Sequence, residues 1–333
     1  MARYRRRHNN RWGLALVLFA AVAGGGAWYF NPWQDAAQPS SFVDPQRPLT
    51  TDRPELLTST NIPPDVPEHG SPAATDTPAR TTVEATPRAD ALLATGRQAL
   101  ARGEWVTART QLNEALRLGV PAAELSQVQA DLVRIANETI FSPRICDNDL
   151  LVERYVVQPG DSLGKIASQH QLGPEFIASI NGISNVNLIR AGQTLKLVRG
   201  PFRAVVDKAA HTLDVYLGDY LVRHFRVGLG AEGSTPTGEW RVSVKLVNPT
   251  YYPPRGGKIV AADDPQNPLG ERWIGLEGVS GEALGQERYG VHGTIDPDSI
   301  GRNASHGCIR MFNEDVEFLY DLLVVKHSTV TVK

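Results

Sequence analysis

The sequence predicts a multidomain protein with an N-terminal transmembrane helix, a disordered linker, a small α-helical segment, a compact βααβ domain and a mostly-β C-terminal domain. Three observations predict this order: an uncharged run at residues 12–30, a proline-rich stretch after it, and a later change from helical to strand-like apolar spacing. With 333 residues, 41% of them hydrophobic, the chain is long enough for several small cores. The net charge of −2 gives no general basic field, so no nucleic-acid partner is expected.

Residues 1–33 are predicted to form a basic cytoplasmic tail and a transmembrane anchor. Five arginines precede the nineteen uncharged residues 12–30, and a helix of that length nearly matches a hydrocarbon core of about 30 Å. An aromatic belt would mark the far interface: Trp28, Tyr29, Phe30 and Trp33. The alternative is a signal peptide cleaved near Ala21, which would release a secreted protein. Both interpretations place the rest of the chain in the periplasm or the cell-wall space.

Residues 34–88 are predicted to be a disordered linker rich in proline and threonine. Eleven prolines lie between residues 31 and 88, with few large apolar side chains. Such a composition buries too little apolar surface to offset the loss of chain entropy on folding. We therefore expect a tether between the anchor and the folded domains.

Residues 89–142 are predicted to form a helical segment that resembles a tetratricopeptide-type hairpin with a further helix. Apolar residues recur at intervals of three and four, and the pair Gly103-Glu104 breaks the pattern before Trp105. One such hairpin cannot bury its apolar face alone, so it should pack on its third helix or on a neighbouring domain. A spacer and a partner-docking unit both remain open as its role.

Residues 154–198 read as strand, helix, helix and strand. A turn leads to Asp161, which is suited to cap the first helix, and Pro174 opens the second. This order and these turn residues resemble a LysM domain over its whole length. The resemblance implies binding to glycans that contain N-acetylglucosamine, such as peptidoglycan strands. The candidate glycan-binding residues are Gly160, Asp161, Ser162, Leu163 and Asn181.

The C-terminal domain, residues 202–333, is predicted to be mostly β with a short helix. Alternating apolar residues around the turn at Gly218 predict a hairpin. The glycine- and proline-rich residues 248–285 are long for a plain connection and are expected to form a lid. Asn313 is expected to cap the short helix.

The most informative residues lie in this last domain. His292 and Gly293 precede Ser305, Gly307 and Cys308 in a glycine-rich context, and the chain has only two cysteines. A thiol attacks as the thiolate, so a neighbouring histidine could supply the base while the Gly293 carbonyl holds the imidazole tautomer. Successive backbone amides from residue 306 to Cys308 could form an oxyanion hole.

Other interpretations of these residues remain open at this stage. His292, His306 and Cys308 could hold zinc, although a fourth ligand is not evident. Cys146 is expected to be an incidental thiol, but a disulfide with Cys308 stays possible outside the cytoplasm. Arg310 could pair with a substrate carboxylate or form a structural ion pair.

The run HGTIDPDSIGRNASHGCIRM at residues 292–311 resembles the signature of L,D-transpeptidase catalytic domains of the YkuD type. The motifs STPTGEW at residues 234–240 and NPLG at residues 267–270 extend the resemblance, which spans about residues 202–333. It implies a β-sandwich with the nucleophile at its cleft. It also implies a cysteine thioester acyl-enzyme with Cys308 as nucleophile, His292 and Gly293 as its partners, and no metal or organic cofactor. It also implies oxyanion stabilisation and substrate binding by four residues: Ser305, His306, Gly307 and Arg310.

The function predicted from these resemblances is a peptidoglycan L,D-transpeptidase that is targeted to the wall by its LysM domain. Its partners would be stem peptides and glycan strands, with the membrane contacted through the N-terminal helix and carbapenems as inhibitors. Two alternatives keep the same site: an L,D-carboxypeptidase that uses water as acceptor, and a transferase that attaches a protein to peptidoglycan.

Overall fold

The computed structural model describes residues 86–253 and 256–333. The predicted transmembrane anchor and almost all of the predicted linker lie outside these residues. Over the described ranges, no helix combines the length and the apolar character that crossing a bilayer requires. All described residues fall within one compact unit.

Three helices form the segment predicted to be helical: α1 (Pro87–Ala101), α2 (Trp105–Leu118) and α3 (Ala122–Thr139). The Thr86 hydroxyl accepts a hydrogen bond from the Ala89 amide and caps α1, which opens with proline at its first position. Because residues 87 and 88 belong to this helix, the predicted linker boundary at residue 88 is wrong.

The βααβ domain is present as predicted, with β1 (Val152–Val156), α4 (Leu163–His170), α5 (Pro174–Ile180) and β2 (Thr194–Val198). The two strands pair in antiparallel orientation.

The prediction that Asp161 caps α4 is wrong. Ser162 is the cap, and its hydroxyl accepts from the Lys165 amide at 3.3 Å. The Asp161 carboxylate instead accepts from the Tyr155 hydroxyl and the Gln158 amide, both at 2.8 Å. It therefore closes the turn against β1 rather than starting the helix.

The C-terminal domain is mostly β, as predicted. Eight strands form one continuous mixed sheet, so hydrogen bonds join the strands of the predicted sandwich instead of leaving two separate sheets. In order across the sheet these strands are β11 (Ile309–Arg310), β9 (Tyr289–His292), β8 (Arg272–Gly281), β7 (Gly238–Val247), β12 (Thr329–Val332), β3 (Phe202–Asp207), β4 (Thr212–Leu217) and β5 (Tyr220–Arg226). The short strands β6 (Leu229–Gly230) and β10 (Asn303–Ser305) pair with each other, and α6 spans Asn313–Leu322.

The predicted lid at residues 248–285 is too long. Residues from Arg272 onward belong to β8, which pairs with β7 as far as the Val247–Arg272 register. The connection between the two strands is therefore limited to residues 248–271. Asn267 is buried within it and donates to the Pro249 carbonyl at 2.7 Å, so its side chain holds this loop together.

The helical segment covers β5, the strand at one edge of the sheet. The Asn113 carboxamide oxygen on α2 accepts from the Leu221 amide on β5 at 2.7 Å. Arg223 of the same strand donates to the Asn137 side chain on α3 at 2.6 Å. An uncovered edge strand presents unpaired backbone groups that invite association. The segment therefore packs on a neighbouring domain, which was one of the two expectations for it.

We predict that Asn113→Ala lowers the free energy of unfolding by about 1–3 kcal/mol, because it leaves the Leu221 amide buried without an acceptor. Urea unfolding of the purified chain measures this loss. Asn137→Ala is the matched control on the exposed side of the same contact, where water replaces the lost partner and the change should stay within about 0.5 kcal/mol. Equal losses in both variants would contradict the role given to Asn113.

A cluster of buried charges joins the helical segment to the βααβ domain. Arg109 forms two hydrogen bonds with Asp149, at 2.9 and 2.6 Å. Lys196 on β2 donates to the carbonyl oxygens of Thr139 and Ser142, at 2.6 and 2.7 Å, and so satisfies carbonyls at the end of α3. Burial lowers the pKa of Lys196 to about 8. These contacts place the two parts of the chain in a fixed arrangement.

Candidate active site

The sheet register brings two of the predicted site residues, His292 and Arg310, onto neighbouring strands. β9 ends at His292, and the parallel strand β11 places Arg310 directly beside it. Cys308 is the residue before β11. Because β11 pairs with β9, Cys308 lies next to the strand that carries His292.

The His292 ring is buried and held in one orientation. Its Nδ1 atom lies 2.6 Å from the Gly293 carbonyl oxygen, which is the contact expected from the sequence. A carbonyl can only accept, so Nδ1 carries the proton and Nε2 is left as the acceptor. On the neighbouring strand, Trp273 stacks on the ring with centroids 5.7 Å apart and planes 20° apart.

Burial governs the charge of both candidate catalytic groups. It lowers the pKa of His292 to about 4, while the Gly293 hydrogen bond acts in the opposite direction and the nearby Arg310 charge adds to the lowering. Burial also raises the pKa of the Cys308 thiol, and the Gly290 amide and Arg310 offset only part of this effect. At neutral pH the site therefore holds a neutral imidazole and a neutral thiol.

The thiol itself is partly accessible. Cys308 is half-buried, and its sulfur lies 4.0 Å from the carbonyl oxygen of Arg288. Arg288 adopts a φ of 67°, in the left-handed region that residues other than glycine seldom occupy. A neutral thiol can donate to this carbonyl, which favours the protonated resting form.

Ser305 organises the loop that carries the nucleophile. Its hydroxyl donates to the Cys308 carbonyl at 2.6 Å and accepts from the Gly307 amide at 3.1 Å. The Gly307 amide, one of the predicted oxyanion donors, is thus already engaged. Among the described residues, the amides of His306 and Cys308 have no acceptor, so these two are left to bind an oxyanion.

Arg310 lies half-buried beside His292, and its Nε atom is buried without a partner. It forms no ion pair with any residue that the structure describes, so the structural ion pair considered from the sequence is not observed there. Its positive charge lowers the pKa values of both candidate catalytic side chains.

The alternative readings of the histidine and cysteine motif find no support in the described ranges. No group of three or more histidine, cysteine or acidic side chains is placed there to hold a metal ion, and His306 is exposed. Cys146 and Cys308 are both free thiols, so no disulfide joins them.

Sequence reasoning misread Asn313. It does not cap α6, whose cap position is Phe312. Its side chain instead accepts from the Thr294 amide at 2.9 Å and donates to the Thr294 carbonyl at 3.1 Å. This pair of bonds holds the segment that directly follows His292 and Gly293. Local sequence carries no signal for it, because the contact joins positions nineteen residues apart.

Thr235 is a second residue whose place sequence reasoning missed, although it lies in the motif at residues 234–240. The residue is 1% exposed, and its hydroxyl accepts from the Gly230 amide at 2.9 Å and donates to the Gly307 carbonyl at 2.8 Å. It therefore contacts the peptide unit that precedes the candidate nucleophile.

Two of the candidate glycan-binding residues have side chains that make contacts within the βααβ domain. Leu163 is buried in its core, and the Asn181 side chain bonds both backbone groups of Lys196, at 2.7 and 2.9 Å. These two side chains are therefore engaged within the domain, and a glycan contact at either residue stays a prediction. Gly160, at a φ of 85°, remains exposed beside the turn that Asp161 and Ser162 stabilise.

Two family models match the chain. The LysM domain model matches residues 155–198, and the L,D-transpeptidase catalytic domain model, YkuD, matches residues 201–332. Over the described residues, fold and site together define a protein in which a LysM domain precedes a mostly-β domain of the L,D-transpeptidase catalytic type. In that domain His292 ends one strand, and Cys308 directly precedes the strand beside it.

Comparison with curated proteins makes the assignment specific. YkuD of Bacillus licheniformis, which is named as an L,D-transpeptidase, is 31% identical over 169 residues that cover 49% of this chain and 88% of that protein. YqjB of Bacillus subtilis, with the same activity in its name, is 37% identical over 124 residues; the chain spans 65% of its length. The chain belongs to the YkuD-type L,D-transpeptidase family.

A solved structure of an L,D-transpeptidase from Mycobacterium smegmatis overlaps 43% of this chain and 63% of that chain. The sequence identity is 20% and the TM-score is 0.31.

Proposed function

We propose that this protein is a peptidoglycan L,D-transpeptidase that works through a thioester on Cys308. The observation that carries the proposal is the buried His292, held by the Gly293 carbonyl, on the strand that adjoins the one directly after the half-buried Cys308. A neutral imidazole with a free Nε2 can take a proton at neutral pH, which is what a general base must do.

The reaction proceeds in two steps that return the site to its resting state. As the Cys308 sulfur attacks the amide carbon between an L-centre and a D-centre, Nε2 of His292 takes the thiol proton. The imidazolium then gives this proton to the departing nitrogen of a terminal D-amino acid, and the thioester remains. An amine from a second stem peptide attacks the thioester and passes a proton to His292, which restores the thiol.

The oxyanion of each tetrahedral intermediate is assigned to the amides of Cys308 and His306, which have no acceptor among the described residues. We assign the substrate carboxylate to Arg310, because its buried Nε atom has no partner and a guanidinium binds carboxylates in a fork geometry. The family resemblance supports a tetrapeptide donor with a diamino acid at its third position. It also supports acylation of Cys308 by carbapenems.

The LysM domain is proposed to hold the enzyme on glycan strands, which would raise the local concentration of stem peptides. The uncharged run at residues 12–30 supports a membrane anchor for the same protein, with the catalytic domain in the cell envelope. Membrane fractionation of the full chain and of a chain that lacks residues 1–33 tests the anchor. Equal recovery of both in the soluble fraction would overturn it.

The activity is tested by incubating the full chain with a disaccharide-tetrapeptide and analysing the products by mass spectrometry. We expect dimers that have lost one terminal D-alanine, and we expect Cys308→Ala to abolish them. Cys146→Ala is the matched control, since it removes the other free thiol and should leave the dimers unchanged.

Two other outcomes would change the assignment. Cys308-dependent tripeptide without dimers would mean that water is the acceptor and that the enzyme is an L,D-carboxypeptidase. No Cys308-dependent product, with glycan binding retained, would overturn the enzymatic proposal and leave a wall-binding protein.

A further inference from the structure

The peptide unit between Gly307 and Cys308 is held from its carbonyl side by Thr235. The Thr235 hydroxyl donates to the Gly307 carbonyl oxygen at 2.8 Å, and the same oxygen atom of threonine accepts from the Gly230 amide at 2.9 Å. Both capacities of this buried hydroxyl are therefore used. The bond that the hydroxyl donates is made to the peptide that contains the Cys308 amide.

Fixing the carbonyl of a peptide fixes the direction of its N–H group. The Gly307–Cys308 peptide is trans and planar, so its C=O and N–H point in opposite directions. A bond that holds the Gly307 carbonyl toward Thr235 consequently turns the Cys308 amide away from Thr235. Within the described part of the chain, that amide meets no acceptor.

We propose that Thr235 is a positioning residue that aims the Cys308 amide at the oxyanion formed during acyl transfer. The proposal rests on the proposed function, because it assumes that Cys308 is acylated. Thr235 does not touch the substrate in this scheme. It acts through the orientation of one peptide plane.

This peptide needs such a restraint because its first residue is glycine. Gly307 has a φ of 126°, and a Cβ atom there would lie 2.7 Å from the Tyr289 ring and 2.9 Å from the Ser234 carbonyl oxygen. Only glycine fits, but glycine also has the fewest barriers to rotation of the adjoining peptide. The Thr235 bond replaces the restraint that a side chain would have provided.

Thr235 is itself fixed by charged residues farther from the site. Lys208 donates to the Thr235 carbonyl at 2.6 Å. Glu282 accepts from the amide and the hydroxyl of Thr237, at 2.9 and 2.8 Å. Both ends of the short turn are thereby attached to residues that directly follow β3 and β8. The hydrogen bond from the Thr235 hydroxyl to the Gly307 carbonyl also polarises the Cys308 N–H of the same peptide, which strengthens it as a donor.

The test compares two reactions of Cys308 in the full chain. Acylation by p-nitrophenyl acetate passes through an oxyanion, whereas alkylation by iodoacetamide displaces iodide at a saturated carbon and forms none. We expect Thr235→Val to slow acylation about tenfold or more, since a single oxyanion donor is worth about 10²–10³-fold. Alkylation should stay within about twofold of the wild-type rate, and Thr235→Ser, which keeps the hydroxyl, should restore acylation.

A purely structural role would give a different pattern. Ser328→Ala removes another buried hydroxyl, one that accepts from the Val324 amide away from the site, and serves as the stability control. It should lower the melting temperature without changing the ratio of acylation to alkylation. Equal slowing of both reactions by Thr235→Val, or no slowing of either, would overturn the proposal.

Two further measurements test the role of Thr235 if the variant does not fold or if the proposed function fails. If Thr235→Val does not fold, Lys208→Met loosens the same turn and should lower the ratio in the same direction; an unchanged ratio would then overturn the proposal. If wild type is acylated by the ester but forms no peptide crosslinks, the proposed function fails, while the role of Thr235 is still decided by the ratio.

Discussion

Replacing His292 with alanine is expected to slow acylation of Cys308 by p-nitrophenyl acetate about 10²–10⁴-fold at pH 7, the range typical of a positioned general base. Burial raises the pKa of the Cys308 thiol, so without a base the reactive thiolate is scarce at this pH. The rate of acylation, measured with the full chain by stopped-flow absorbance, tests this expectation.

The pH dependence gives a sharper form of the same prediction. Because burial lowers the pKa of His292 to about 4, the wild-type rate should stay level as the pH falls from 7 and should drop only near pH 4, where the imidazole becomes protonated. In His292→Ala the rate should instead rise about tenfold per pH unit up to the thiol pKa. The exposed His327 is the control, and His327→Ala should reproduce the wild-type profile. A level profile in His292→Ala would show that another group acts as base.

The neutral resting states of His292 and Cys308 determine when the proton is transferred. Separating charge between His292 and Cys308 before substrate binds would place an imidazolium in a buried site next to the Arg310 guanidinium. Proton transfer is therefore expected to accompany the attack on the substrate rather than to precede it. The oxyanion donors must then be in place at that moment, which is why the orientation of the Cys308 amide matters.

Local patterns predicted the individual elements of the fold well. Periods of three and four residues predicted the helices, alternation predicted the β4–β5 hairpin, and turn residues predicted the βααβ domain. The packing of these parts against one another could not be predicted. The bond between Asn113 and Leu221 joins positions 108 residues apart, and Lys196 meets Thr139 across 57 residues. Nothing in either local sequence distinguishes these side chains from ordinary polar residues.

Local sequence also fails to predict distant contacts inside the candidate active site. The motif pointed to His292, Gly293 and Cys308. In the structure His292 ends β9 and forms the expected hydrogen bond with the Gly293 carbonyl, and Cys308 directly precedes the adjoining strand β11. Asn313 was misread because an asparagine before an amphipathic helix is a strong local signal for a cap. Its tertiary bonds to Thr294 override that preference. Distant partners decide the role of such residues, so only coordinates reveal them.

The largest stability effect is expected for Asp149→Ala, which should lower the free energy of unfolding by about 3–5 kcal/mol. The side chains of Arg109 and Asp149 are 3% and 0% exposed, and the variant leaves the guanidinium buried without its counter-ion. Its remaining neighbours are the Thr139 hydroxyl at 3.4 Å and the Tyr220 ring at 5.0 Å, while Nε already has no partner. Urea unfolding of the purified chain measures the loss.

Two comparisons decide whether the unpaired charge is the cause. Glu104→Ala breaks the exposed pair with Arg102 and should leave the unfolding midpoint unchanged, because water screens that contact. Replacing both buried partners, Arg109→Leu with Asp149→Leu, should recover much of the loss, since no charge is then left without a partner. If the double variant is as unstable as Asp149→Ala, packing around these side chains matters more than their charge. If it recovers, the ion pair fixes how the helical segment meets the βααβ domain at little net cost in stability.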